Sequence, residues 1–174
     1  MLRLRPYKRS DATYICSWLK DEYSFHQWCA DRYETFPLTA QQLNSQYDSF
    51  IDYDWFYPWT AFDETGVVGH LTMRYLDEEK QNVRLGFVIV DDEKRGKGYG
   101  KEMMQLALKY AFELLKAKKV SLGVFENNPS AYQCYKAVGF HEISEKGFYD
   151  ISILGETWRS WELVVKEDEV IVGC

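Results

Sequence analysis

The sequence predicts an α/β fold: a mixed, mostly antiparallel sheet of about seven strands with helices on both faces. Three observations predict it. Segments of period two alternate with segments of period three to four, so strands and helices share the chain. Three strand-like segments follow one another between residues 55 and 90, as hairpin-linked strands do. From Gly98 onward helix, strand and helix alternate, the pattern of crossovers returning to one sheet.

The elements follow in order. Leu2-Arg3-Leu4-Arg5 alternates and is closed as a short strand by Pro6. Ser10 or Asp11 can cap a helix carrying Ile15, Trp18 and Leu19, and a second short helix carries Phe25, Trp28 and Cys29. Thr39 caps a third, with Gln42 three residues on as a capping box. Trp55 to Phe62, Val67 to Tyr75 and Val83 to Val90 read as strands, separated by the turns Asp63-Glu64-Thr65-Gly66 and Asp77 to Asn82. Met103, Leu106, Ala107, Tyr110, Ala111 and Leu114 fall on one face of a long helix. Lys119 to Phe125 is a further strand. Asn128-Pro129 starts a helix, because Asn caps it and Pro needs no N–H at the first position; Gly139 ends it. Phe140 to Ser144 and Thr157 to Val165 are the closing strands, followed by an acidic and then apolar tail.

Composition narrows the function classes. Apolar residues are 46% and charged residues 28% of the chain, which excludes disordered, collagen-like and coiled-coil classes. With 174 residues and no internal repeat or linker, residues 1–174 are expected to form a single domain. Cys16, Cys29, Cys134 and Cys174 form neither a C-x-x-C pair nor a zinc spacing, so no metal is expected and a reducing cytoplasm is the expected compartment. No apolar run approaches the roughly 20 residues of a membrane span, and Met1 to Pro6 lacks the apolar run of a signal peptide. No membrane partner is therefore expected. A net charge of −6 argues against nucleic acid as a partner and mildly favours a cationic one.

The most informative segment is Asp91 to Lys101. Gly96, Gly98 and Gly100 stand at alternate positions between a strand and a long helix. Such glycines turn the backbone tightly and converge several N–H groups, and the helix N-terminus adds partial positive charge. This is an anion site suited to a pyrophosphate, with Lys94, Arg95, Lys97 and Lys101 beside it in an otherwise acidic chain. A Walker A loop fails, because Gly100-Lys101 is followed by Glu102. A dinucleotide fingerprint fails, because Lys101 stands where its third Gly belongs. The bland alternative is a solvated turn.

The second constellation is Asn128, Ala131, Tyr135, Gly139 and Phe140, with Tyr135 one turn after Ala131 on one helix face. Together, R-G-x-G-x-G and N-x-x-A-x-x-x-Y-x-x-x-G-F resemble the GNAT superfamily of N-acetyltransferases. The resemblance runs from about Val83 to Phe140, and the early segment from Arg3 to Asp11 is similar but less specific. It implies a GNAT fold whose two central parallel strands, Val83 to Val90 and Lys119 to Phe125, splay apart around acetyl-CoA. It further implies that backbone groups of Phe87, Val88, Ile89 and Val90 hold the pantetheine arm. Arg95, Gly96, Lys97, Gly98, Tyr99, Gly100 and Lys101 would hold the pyrophosphate, Asn128 would contact the cofactor chain, and Tyr135 would reach the thioester sulfur. Closeness to the ribosomal-protein acetyltransferase branch is a hint carried by chain length and the early aromatic helices.

Acetyl transfer to an amine needs a neutral amine, a donor to the oxyanion and a proton for the leaving thiolate. Tyr135 suits the last role and a backbone N–H near Val88 the second, by direct attack in a ternary complex. Cys134 faces away from Tyr135 around the helix, which speaks against an acyl-enzyme. Many relatives carry an acid early in the strand entering the phosphate loop, where this chain has Arg84. The base is therefore open among Glu22, His26, His70, Glu126 and a water chain. Aromatic residues are 17% of the chain and concentrate at Tyr23 to Phe36 and Tyr47 to Phe62. They suit an acceptor pocket, with Asp52, Asp54 and Glu22 near for a cation, or else plain sheet packing. The expected acceptor is a small amine such as a polyamine, an aminoglycoside-like compound, or a protein N-terminus. A monomer and a homodimer both fit. A CoA-binding sensor or interaction domain without transfer is the alternative function.

Overall fold

The computed structural model describes residues 1–172; Cys174, read above with the other cysteines, lies outside them. The strands are β1 (Arg3–Pro6), β2 (Phe56–Asp63), β3 (Gly66–Tyr75), β4 (Asn82–Val90), β5 (Lys119–Phe125), β6 (His141–Glu142), β7 (Phe148–Ile153) and β8 (Glu156–Lys166). The helices are α1 (Ala12–Trp18), α2 (Glu22–Cys29), α3 (Ala40–Asp48), α4 (Tyr99–Lys109) and α5 (Pro129–Ala137). One sheet runs β1-β2-β3-β4-β5-β8-β6, with β7 also on β8. Every pair is antiparallel except β4 with β5. The sheet has eight strands rather than the seven expected, and β7 is the addition.

Helices cover both faces, and each face has its own core. On one side Met103, Met104, Ala107 and Leu108 of α4 and Tyr135 of α5 pack on Leu71, Met73, Leu85, Val120, Leu122 and Leu163. On the other, Ile15, Phe25 and Leu43 of α1, α2 and α3 pack with Phe56 and Ile89. The helix starts are built as their sequences require. Thr39 accepts from the Gln42 N–H while Gln42 reaches back to the Thr39 N–H. Asn128 accepts from the Ala131 N–H at 3.3 Å, with Pro129 next. Asp11 departs from the expected cap: it is 2% exposed and binds the Arg5 guanidinium, the Lys8 N–H and the Thr60 hydroxyl instead. The tail runs past α5: the Ile171 N–H donates to the Val138 carbonyl at 3.0 Å. Among the described residues no helix is long and apolar enough to cross a membrane.

Two features of the central strands open the sheet. β4 and β5 pair only at Asn82–Lys119, Val83–Val120 and Arg84–Ser121. Beyond that they part, leaving a cleft between Leu85–Val90 and Leu122–Phe125. Next to the cleft, β4 bulges. Gly86 faces Thr72 and Ile89 faces His70, so Phe87 and Val88 together oppose Leu71. The extra residue shifts the alternation. Phe87 and Ile89 turn to the α2 side, and Val88 and Val90 turn to the α4 side. Phe87 has φ +48, which costs a side-chain-bearing residue about 1–2 kcal/mol. Its ring sits 5.1 Å from Trp28 and 6.2 Å from Tyr33, and such aromatic pairs return about 0.5–1.5 kcal/mol each.

Candidate active site

The cleft holds a cavity of 530 Å³, within the range of small-ligand sites. Phe87, Val88, Ile89, Val90, Arg95, Gly96, Gly98, Gly100, Lys101, Asn128 and Tyr135 all line it. Lys97 and Tyr99, predicted with them, do not. Lys97 donates to the Glu93 carbonyl. The Tyr99 hydroxyl donates to Asp63 at 2.8 Å, and Lys94 donates to Thr65 at 2.5 Å. These two side chains tie the phosphate loop to the β2–β3 turn. Hydrogen bonds from Thr65 and Tyr99 hold the Asp63 carboxyl well below the usual range.

The loop has the conformation that its glycines predict. Gly96 has φ +73 and Gly98 has φ +88, and a Cβ would meet nothing within 4 Å at either. The requirement there is backbone conformation. Gly98 caps α4 with no side chain, and the first α4 hydrogen bond between backbone groups runs from the Glu102 N–H to its carbonyl. The N–H groups before Glu102 have no partner inside the helix and are free for an anion. Arg95 is held in place by its Nε, 3.3 Å from the Val90 carbonyl.

Tyr135 is buried on α5, and among the described residues its hydroxyl has no hydrogen-bond partner although it lines the cavity. Burial, with a small contribution from Cys134, lifts its pKa far above the ordinary 10. The phenol is a donor at every physiological pH. Cys134 packs against Gly100, where a Cβ would lie 3.3 Å from its Sγ. Burial raises its pKa, so it is a thiol and a poor nucleophile.

A second cavity, of 490 Å³, lies on the α2–α3 side and meets the first at the cleft. Both are lined by Gln27, Trp28, Gly86, Phe87, Gly123 and Phe125. Of the aromatic clusters, Trp28, Phe50, Trp55 and Phe56 line this cavity; Tyr47 and Trp59 are core. Asp52, Asp54 and Glu22, expected near a cation, line neither cavity, and Asp54 pairs with Lys80 at 2.6 Å. The four candidate bases are absent from both linings too. His70 is fully buried, bonded to the Tyr47 hydroxyl at 2.7 Å, and burial lowers its pKa to about 3. His26 bonds the Ala30 carbonyl at 2.7 Å.

Three features escaped the sequence. Gln27 donates to the carbonyl and side chain of Asn127, at 3.0 and 3.2 Å, and so straps α2 across the cleft to the start of α5. Arg84 reaches over β5 to pair with Glu162 on β8. Gly123 lets it pass: a Cβ there would lie 3.1 Å from Arg84 Nη2. Arg74 lies opposite Arg84 in the β3–β4 ladder. Strand register brings Arg74, Arg84 and Glu162 together, and register is not written in any one segment. Among the described residues no group of three His, Cys, Asp or Glu is placed to hold a metal.

The family model for the acetyltransferase (GNAT) domain matches residues 1–141. The chain belongs to the GNAT acetyltransferase family. The splayed β4–β5 pair and the glycine loop at α4 are thus parts of a GNAT domain, and its fold is the one predicted. A spermine/spermidine N(1)-acetyltransferase of Bacillus subtilis is 36% identical over 74 residues, 41% of this chain and 49% of that protein. The match therefore spans about half of that relative's length. A spermidine N(1)-acetyltransferase of Vibrio cholerae is 24% identical over 141 residues, 81% of this chain and 79% of its own. The crystal structure of a Vibrio cholerae spermidine N-acetyltransferase in complex with CoA and spermine superposes with TM-score 0.81 and 20% identity. It covers 97% of this GNAT chain and 96% of the other.

Proposed function

We propose that this chain transfers the acetyl group of acetyl-CoA to a primary amine by direct attack in a ternary complex. The observation that carries the proposal is the cleft itself. A glycine loop at a helix N-terminus lies at one end, the hydroxyl of Tyr135 has no partner among the described residues, and a second cavity opens at Phe87 and Gly123. Family membership supports the reaction, and the amines named for the relatives support an amine acceptor.

Each residue has a part. The α4 N-terminus with Arg95 and Lys101 holds the pyrophosphate, and Asn128 and the backbone of Phe87 to Val90 hold the pantetheine arm. Bound acetyl-CoA supplies the activated acyl carbon. The bulge N–H at Val88 donates to its oxygen, where negative charge develops. The neutral amine forms the new N–C bond as the C–S bond breaks. Tyr135 donates its proton to the departing sulfur. Its raised pKa means that no phenolate persists: the proton shed by the acylated nitrogen replaces the one given up. Before attack, the ammonium loses its proton to water in the open acceptor cavity, since none of the four candidate bases lines it.

Melting curves with CoA, ATP and NAD test the binding half. At one hundred times Kd a ligand stabilises by about 2.7 kcal/mol, about 5 °C or more for a chain this size. CoA alone is expected to give that shift, and an equal shift from ATP or NAD would overturn the assignment.

A further inference from the structure

The acceptor cavity carries a charge pattern that the transfer step does not use. Arg32, Arg74 and Arg84 line it, and Asp31 is the one carboxylate among the described lining residues. In a chain of net charge −6 this is a local reversal of sign. Arg74 and Arg84 are direct partners across β3 and β4. Such partners share a sheet face, and like charges placed there repel. Arg84 is compensated, because both oxygens of Glu162 accept from its guanidinium. Arg74 is not. It is half-buried, and among the described residues its side chain has no hydrogen-bond or ion-pair partner. Burial and then the charges of Arg84 and Arg32 lower its pKa, but an arginine stays charged.

A half-buried guanidinium with no protein acceptor turns its donors to the cavity, and a carboxylate meets them there through two parallel bonds. The remaining wall sets the apolar Trp28, Phe50, Trp55, Phe56, Phe125 and Ile151 beside the polar Gln27, Gln46, Thr72, Tyr149 and Ser160. A polyamine would bring several positive charges to this face. Glu162, the nearby acid, is already taken by Arg84, and Asp54 is taken by Lys80.

We propose that the acceptor is a small amine that also carries a carboxylate: an α-amino acid with an apolar or aromatic side chain. Its carboxylate docks on Arg74, its side chain lies among the aromatic rings, and its amine reaches the cleft at Phe87 and Gly123. The inference rests on the proposed acetyl transfer and narrows its substrate class away from the polyamines named for the relatives. The group transfer is the one given above, with the amino acid's nitrogen as nucleophile.

The test is thiol release from acetyl-CoA with three probes: L-phenylalanine, 2-phenylethylamine (the same body without the carboxylate) and spermidine. For the unaltered protein, kcat/KM for L-phenylalanine is expected to exceed both others by about 10- to 100-fold, the worth of one charge-assisted bidentate contact. Arg74→Gln is expected to bring the phenylalanine-to-phenylethylamine ratio close to one through KM, and Arg74→Lys to restore part of it. Equal or faster turnover of spermidine or 2-phenylethylamine would overturn the proposal, as would an unchanged ratio in Arg74→Gln. The comparison of probes on the unaltered protein stands even if a variant fails to fold. A CoA-induced melting shift without turnover of L-phenylalanine overturns this inference, whereas no shift with CoA overturns the transfer reading beneath it.

Discussion

Asp11→Asn tests how the N-terminal strand and α1 are locked to the sheet. Asp11 is 2% exposed. Its Oδ2 accepts from Arg5 Nη1 at 2.7 Å, the Lys8 N–H at 2.8 Å and the Thr60 hydroxyl at 2.7 Å. Its Oδ1 accepts from Arg5 Nη2 at 2.9 Å. Asparagine can keep its oxygen in the first position. Its amide then faces Arg5 Nη2 donor to donor, and the guanidinium loses its counter-charge in a partly buried place. Breaking a buried ion pair from one side costs about 3–5 kcal/mol. At about 2–4 °C per kcal/mol for a chain this size, the melting midpoint falls by about 6–20 °C. The pH dependence supplies a second reading. Burial alone would raise the Asp11 pKa, but the bonds from Arg5, Lys8 and Thr60 outweigh it and leave it lowered from 3.8. A lowered carboxylate pKa gives stability that is full above the unfolded value, about 3.9, and fades as the pH falls through the folded one. The gap between protein and variant, followed by melting in the circular dichroism signal, is therefore wide at pH 7 and narrows progressively as the pH falls below about 4. A fall of under 2 °C at pH 7, or a gap that fails to narrow as the pH is lowered from 5 to 2, would refute the reasoning.

Three further outcomes are expected. Gly98→Asp forces a residue into φ +88 and sets a negative charge at the α4 N-terminus, so titration calorimetry will find CoA binding abolished; unchanged affinity would remove the loop from the site. Gly139→Ala puts a methyl group into the Glu169 carbonyl at φ +114 and will lower stability by more than 1 kcal/mol in urea unfolding, while a neutral effect would mean that the tail does not lie over α5. His70, with its pKa lowered to about 3 by burial, stays neutral in the fold while the unfolded chain binds a proton below about 6.5. Its contribution is full above that pH and lost as the pH falls toward 3, so His70→Gln will flatten the acid limb of the stability profile; an unaltered slope would contradict this.

Much of the site was legible because its signals are local. Gly96 and Gly98 announce a loop whose backbone favours glycine, with Gly100 in the first turn of α4, and Asn128-Pro129 announces the start of the helix that carries Tyr135. The capping box of Thr39 and Gln42 and the period of α4 work the same way. What stayed hidden is non-local or breaks a local rule. β7 was missed because its hairpin to β8 turns through Leu154 and Gly155, with φ +53 and +73. That turn type usually carries Asn or Asp where this chain has Leu. The Phe87 bulge was missed because a bulky residue with positive φ has no sequence signature. Arg84 read as a missing acid. In the structure the acid stands across β5, on Glu162, reached over the bare backbone of Gly123. The expected cation site failed for the same reason: Asp52 and Asp54 are near the aromatic rings in sequence, but register turns Arg74 and Arg84 into the cavity instead.

Thiol release from acetyl-CoA by the protein and by Tyr135→Phe, with CoA affinity measured in parallel, tests the central claim most directly. The variant is predicted to lose about 10²- to 10⁴-fold in kcat, the usual worth of a positioned acid, while CoA affinity holds within a factor of two or three. Turnover equal to that of the unaltered protein would take Tyr135 out of the reaction and contradict the account.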